Sequence, residues 1–98
     1  MVVGVLDIEL HLYAPQSLKE KRGIVRSLVG RIRSRHPVSC AETGHQDFWQ
    51  KARIGITMVG ISENSISPVL ERIERDIQSS GEVEITRREL EFLHYGEL

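Results

Sequence analysis

Along this 98-residue chain the spacing of apolar residues switches between a period of two and a period of 3.6, and the order of the switches limits the folds open to it. From Val2 to Leu12 the even positions are Val2, Gly4, Leu6, Ile8, Leu10 and Leu12, while the odd ones include Asp7, Glu9 and His11. Alternation of this kind predicts a half-buried strand. Ala14-Pro15-Gln16 breaks it, and Ser17-Leu18-Lys19-Glu20 matches the S-x-x-E capping box, in which a hydroxyl and a carboxylate satisfy free amide groups of a first helical turn. Leu18, Val25, Leu28, Val29 and Ile32 then share one side of a helical wheel, and His36-Pro37 ends the helix because the residue before proline disfavours helical backbone.

Val38 to Glu42 reads as a short second strand, and Thr43 to Gln50, polar apart from Phe48 and Trp49, as a connecting loop. Ala52, Ile54, Ile56 and Met58 alternate with Lys51, Arg53, Gly55 and Thr57 in a third strand that runs to about Ile61. Ile66, Val69, Leu70, Ile73 and Ile77 form the apolar stripe of a second helix, with Pro68 expected in its first turn and Gly81 as a left-handed stop. In the last strand Val83 and Ile85 have one parity and Leu90 and Phe92 the other, which predicts a bulge between Thr86 and Glu89. The order β-α-β-β-α-β, with right-handed crossovers, implies an α+β, ferredoxin-like fold: a four-stranded antiparallel sheet of order 4-1-3-2 with two helices on one face. Residues 1–98 are expected to form a single domain.

Composition narrows the class of protein. With 40% hydrophobic and 28% charged residues the chain is globular rather than disordered, and no apolar run approaches a membrane span. Met1 to Gly4 passes directly into the strand pattern without the regions of a signal peptide, so a cytoplasmic location and no membrane partner are expected. The one cysteine, Cys40, reads as a small buried apolar residue.

Charge is segregated. Seven of the thirteen Lys and Arg residues fall between Ser17 and Arg35, beside a single acid, Glu20. On the wheel Lys19, Arg22, Arg26 and Arg33 flank the apolar stripe on one side and Arg31 and Arg35 on the other, with Gly23, Ser27, Gly30 and Ser34 between them and facing away from the core. A small-residue groove with arginine walls admits a phosphate backbone or a partner helix close to the main chain. Lys21 falls within the apolar stripe and is expected to carry its ammonium past the core edge to solvent. Glu71, Glu74 and Asp76 of the second helix are placed to neutralise part of the basic field.

The open face of the sheet should bring Glu9 near Arg53 and Asp7 near Gly55, and it lacks the outward aromatic pair on which sheet-type RNA readers stack bases. Val3, Val5 and Val59 leave an apolar corner there, suited to a homodimer contact. In the loop, Glu42, His45 and Asp47 are the residues from which a metal or acid-base cluster would be drawn. The four histidines have no ligand spacing, Cys40 has no partner, and no phosphate-loop or nucleophile-elbow motif occurs, so neither a metal, a cofactor nor a catalytic residue is assigned. Trp49 is expected to cover the edge of the core, while side chains of Gln46, Asp47 and Gln50 bond to the loop backbone.

Two stretches carry a family resemblance: Ser17-Leu18-Lys19-Glu20-Lys21-Arg22, and Ala41-Glu42 followed by His45-Gln46-Asp47-Phe48-Trp49-Gln50-Lys51-Ala52. With Val3-Gly4-Val5-Leu6 and Gly81-Glu82-Val83-Glu84 the chain resembles the YlxP-like proteins, small bacterial proteins defined as a domain of unknown function. The resemblance implies a ferredoxin-like fold and a cytosolic protein often encoded near translation and ribosome-maturation factors, and it supplies no catalytic residues. Pro68 and Gly30 depart from the family pattern. The expectation is a non-enzymatic protein that binds RNA or a ribosomal subunit through Lys19, Arg22, Arg26, Arg31, Arg33 and Arg35, the alternatives being a homodimeric protein-binding adaptor or an enzyme or metal site around Glu42, His45 and Asp47. Gln46, Trp49 and Gln50 complete the candidate loop site.

Overall fold

Residues 1–96 are described by the structure, a computed structural model. The elements are β1 (Val2–Leu12), α1 (Leu18–Arg35), β2 (Ser39–Gly44), β3 (Lys51–Gly60), α2 (Glu63–Ser79) and β4 (Val83–His94). They form one four-stranded sheet in the order β2-β3-β1-β4, antiparallel at each pairing. The even residues of β1 are buried from Val2 to Leu12, and they share one core with Val25, Leu28 and Ile32 of α1 and Ile66, Leu70, Ile73 and Ile77 of α2. Both helices therefore cover the same face of the sheet, because only that face presents a continuous apolar row.

Close approach of α2 needs two glycines. A Cβ on Gly4 or on Gly60 would lie 2.7 Å from a side-chain carbon of Ile66, so the absence of side chains at these two positions lets Ile66 pack directly on the backbone of β1 and β3.

The register of β1 against β3 sets Glu9 opposite Arg53 and Asp7 opposite Gly55, as the alternation implies. Between Glu9 and Leu10 the partner on β4 jumps from Arg87 to Ile85, so Thr86 is the extra residue of the bulge, and its hydroxyl donates to the carbonyl of Glu9 at 3.3 Å. Gly81 has φ +74, the left-handed backbone that stops α2.

Three local expectations are corrected. First, β2 starts at Ser39 and continues past Glu42 to Gly44, because a bulge at Thr43 keeps it paired with Arg53; the loop is thereby shortened to residues 45–50. Second, Pro68 is not in the first turn of α2. Ser62 and Ser65 cap each other reciprocally and start the helix at Glu63, which moves the proline into the second turn, where it stays exposed and the Asn64 carbonyl loses the amide it would otherwise receive. Third, the amide of Glu20 donates to the Ser17 hydroxyl at 3.2 Å, but the Glu20 carboxylate accepts from Gln16, at 2.6 Å, instead of from the cap residue.

Candidate nucleic-acid interface

Helical periodicity places six of the seven α1 cations in solvent. Lys19, Arg22, Arg26, Arg31, Arg33 and Arg35 are all exposed, and none has an ion-pair partner among the described residues. Gly23 and Gly30 face open space, with nothing within 4 Å of a Cβ built on either. The expected flank divides, however. Lys19 borders a groove with Pro15, Gly23, Ile24 and Ser27, whereas Arg22 and Arg26 border another, closed on its far side by Glu42, Gln46 and Asp47. Arg31 and Arg35 lie near His36 and Asp76 at the far end of the helix. Arg33 lies near enough to Cys40 for its charge to oppose, in part, the burial that pushes the thiol up to about 11.

Acids of α2 neutralise little of this field. Asp76 meets His36 at 3.1 Å, but Glu74 is held by Arg88 of β4 and Glu71 lines a groove with the same arginine. Residues two apart on a helix point about 200° apart, so Glu74 and Asp76 cannot both turn toward α1.

The seventh cation overturns its expectation. Lys21 does not reach solvent: its side chain is 0% exposed, its Nζ lies 2.6 Å from Glu42 Oε2, and it donates to the carbonyl of His45 at 2.9 Å. Glu42 sits opposite Ile54 on the core side of β2, which aims its carboxylate under α1. Both partners thus occupied core-facing positions of their elements, a legible signal had the two been paired. The contact ties the first turns of α1 to the β2–β3 loop.

The residues from which a loop cluster would be drawn, Glu42, His45 and Asp47, are not brought together. Glu42 is taken by Lys21, the His45 ring turns to Glu9 at 3.3 Å, and Asp47 is exposed without a partner among the described residues. Among the described residues no group of three or more His, Cys, Asp or Glu side chains is placed to hold a metal ion. Nor do the side chains of Gln46, Asp47 and Gln50 bond the loop. Backbone contacts do so, from Phe48 N to His45 O at 3.1 Å and from Leu12 N to Gln50 O at 2.9 Å, with His45 itself at φ +58.

This loop holds two exposed aromatic rings. Phe48 is 53% exposed and rests edge-on against His45, with the Lys51 ammonium 5.5 Å from its centroid. Trp49 is 50% exposed, too open for a plug of the core edge, and has no hydrogen-bond or ring partner among the described residues.

Charges on the open face of the sheet are arranged differently. Arg53 forks onto Asp7, with Nε 2.9 Å from one carboxylate oxygen, and this hydrogen bond together with the positive charge holds the Asp7 carboxyl below its usual range. Arg87 lies between Glu9 and Glu89. At one end of the face Val3 is flanked by Val59 and Leu93, and Val59 is 61% exposed.

Sheet order, helix placement and bulge define a ferredoxin-like α+β protein. The chain belongs to the family described as a protein of unknown function (DUF503), whose model matches residues 3–90. It is 36% identical over 90 residues to the uncharacterised protein YlxP of Bacillus subtilis (strain 168), a match that covers 90% of this chain and 98% of that one. Among solved structures it is similar to a de novo designed protein with a ferredoxin fold, at TM-score 0.65 and 13% identity over 100% of this chain and 91% of that one. A structural-genomics protein, YJCS, superposes at TM-score 0.64 and 10% identity, covering 94% and 99% of the two chains. At these identities the structural matches speak for the fold alone. Among the described residues no helix is long and apolar enough to cross a membrane.

Proposed function

We propose that this protein is a non-enzymatic RNA- or ribosome-associated protein of the cytoplasm that binds phosphates through the exposed face of α1. One observation carries the reading: six neighbouring cations on α1 have no carboxylate partner among the described residues, while the arginines of the sheet, Arg53, Arg87 and Arg88, are each paired. A polyanion holds condensed counterions, and unpaired surface cations clustered on one helix release them by neutralising its phosphates, which drives association. Binding of this kind is weakly sequence-specific and falls steeply with salt. The test is titration of ribosomal subunits and of a structured RNA from low to physiological salt, with the wild type and with Arg22→Glu/Arg26→Glu. Unchanged affinity in the double variant would remove the reading.

A second reading is a homodimeric adaptor joined through the open sheet face. It is favoured by the apolar end formed by Val3, Val59 and Leu93, with Ile61 90% exposed beyond it. Sedimentation equilibrium of wild type and Val59→Lys tests it: a dimer that the substitution dissociates supports this interface, and a monomeric wild type excludes it.

A further inference from the structure

The Arg22/Arg26 groove and the aromatic turn beside it have complementary chemistry. Arg22 and Arg26 are one helical turn apart, about 6 Å along the axis, on the same side of α1. Opposite them stand Gln46 and Asp47, and two residues further along the chain is the half-exposed Trp49, while the Phe48 ring turns to His45 and Lys51. The turn is not a loose appendage. Lys21 grips the His45 carbonyl from beneath α1, Phe48 is braced edge-on by the His45 ring, and that ring is in turn held by Glu9. Of the two carboxylates in the groove, Glu42 is already matched by the Lys21 ammonium, which leaves Asp47 alone against two unpaired guanidinium groups.

We propose that this groove binds single-stranded RNA, with Arg22 and Arg26 on successive phosphates and Trp49 stacked on an unpaired base. The proposal rests on the RNA-binding reading of α1 and adds the form of the ligand. An exposed aromatic ring reaches a base face only where the base is unstacked, so a duplex offers it nothing, while every base presents a face to it in a single strand. Gln46, exposed on the groove wall, presents an amide to base or sugar edges. This site lies at the helix–loop junction, whereas the sheet-type readers of the same topology use the open face, which here is filled by paired charges.

Trp49 is the one tryptophan of the chain, so its emission reports the site directly. The experiment titrates the full chain with a mixed-sequence oligoribonucleotide and with its duplex, following fluorescence and anisotropy at several salt concentrations. Quenching by the single strand, tighter binding of the strand than of the duplex, and a loss of roughly 5- to 150-fold in Trp49→Ala are expected. The salt dependence of Trp49→Ala should match the wild type because no charge is removed, Trp49→Phe should retain most of the affinity, and Asp47→Asn should tighten binding. Trp49 is half exposed, so its truncation leaves the core intact, and amide hydrogen exchange checks this. If strand and duplex bind equally, Trp49 emission is unmoved and Trp49→Ala binds as wild type while Arg22→Glu/Arg26→Glu does not, this inference falls and the proposed function stands. If neither RNA binds at low salt, both fall.

Discussion

On the open face of the sheet every arginine has a carboxylate against it, Arg53 on Asp7 and Arg87 between Glu9 and Glu89, whereas on α1 six cations stand without one among the described residues. The two regions contain the same residue types, and spacing separates them. Strand pairing sets opposite charges about 5 Å apart across neighbouring strands, and the register of β1 with β3 and β4 delivers acids of β1 to basic residues of its neighbours. A helix offers pairing at i±3 and i±4, and α1 has only Glu20, whose carboxylate is spent on the Gln16 amide. One face is internally neutralised, and the other is left to an external anion. Between the two extremes is Lys21, the α1 cation with a partner, which the fold has buried completely.

That contrast is sharpened most by Lys21→Met. Removing the ammonium leaves Glu42 under α1 without its counter-charge, and breaking a buried pair from one side typically costs 3–5 kcal/mol. The Glu42 side chain keeps 19% exposure and can relax toward water, so about 2–4 kcal/mol is expected in urea unfolding followed by Trp49 emission. Lys21→Met/Glu42→Leu should recover most of the loss, since the apolar pair needs no compensation. A single variant as stable as wild type would mean that the pair does not pin the loop.

Next in size is reversal of the unpaired charges. Arg22→Glu/Arg26→Glu should weaken RNA binding by at least about 10-fold at low salt and flatten the log-log salt slope by about 1.4 for a single strand, with folding intact because neither side chain has a native ion-pair partner to lose. On the sheet the opposite holds. Arg87→Gln should leave RNA affinity within about twofold, because that charge is already matched at home; a large loss there would dissolve the distinction between the two faces.

Smaller still are the helix glycines. Gly23→Ala and Gly30→Ala meet open space, so each should raise stability by about 0.8–1 kcal/mol in thermal or urea unfolding. Any fall in RNA affinity in the same variants would show that the small-residue strip of α1 is approached by ligand.

The least effect is expected from Arg53→Gln, and it depends on pH. The guanidinium hydrogen bond lowers the folded-state pKa of Asp7, so its contribution is present above the ordinary aspartate range and is lost as pH falls through the lowered value. The stability gap between wild type and Arg53→Gln should therefore be open at neutral pH and close progressively below about pH 4. A gap independent of pH would assign the effect to packing of the arginine stem.

Much of this was legible before any coordinates. Alternation and helical period give the six elements, and the parity change between Ile85 and Leu90 confines the bulge to Thr86–Glu89, within which the register places it at Thr86. The exposure of the α1 cations also follows from the wheel. Reciprocal capping by Ser62 and Ser65 starts α2 at Glu63, ahead of the apolar stripe from Ile66 that put Pro68 in the first turn. The loop is where reading residue by residue failed. Glu42, His45 and Asp47 are close in sequence and separate in space, because each answers to a different element: Glu42 to α1, His45 to β1 and Asp47 to solvent.

What the sequence determined by itself is everything that rests on local period and parity: the elements, their faces, the bulge, and the concentration of positive charge on one helix. Tertiary structure alone decided which of those charges would be answered. A charge is paired or left free according to what the fold brings within a few ångströms, and Lys21 and Glu42 meet only when α1 is laid across the sheet over β2. The same packing that buries that pair holds the aromatic turn beside Arg22 and Arg26 and leaves Trp49 half open to solvent.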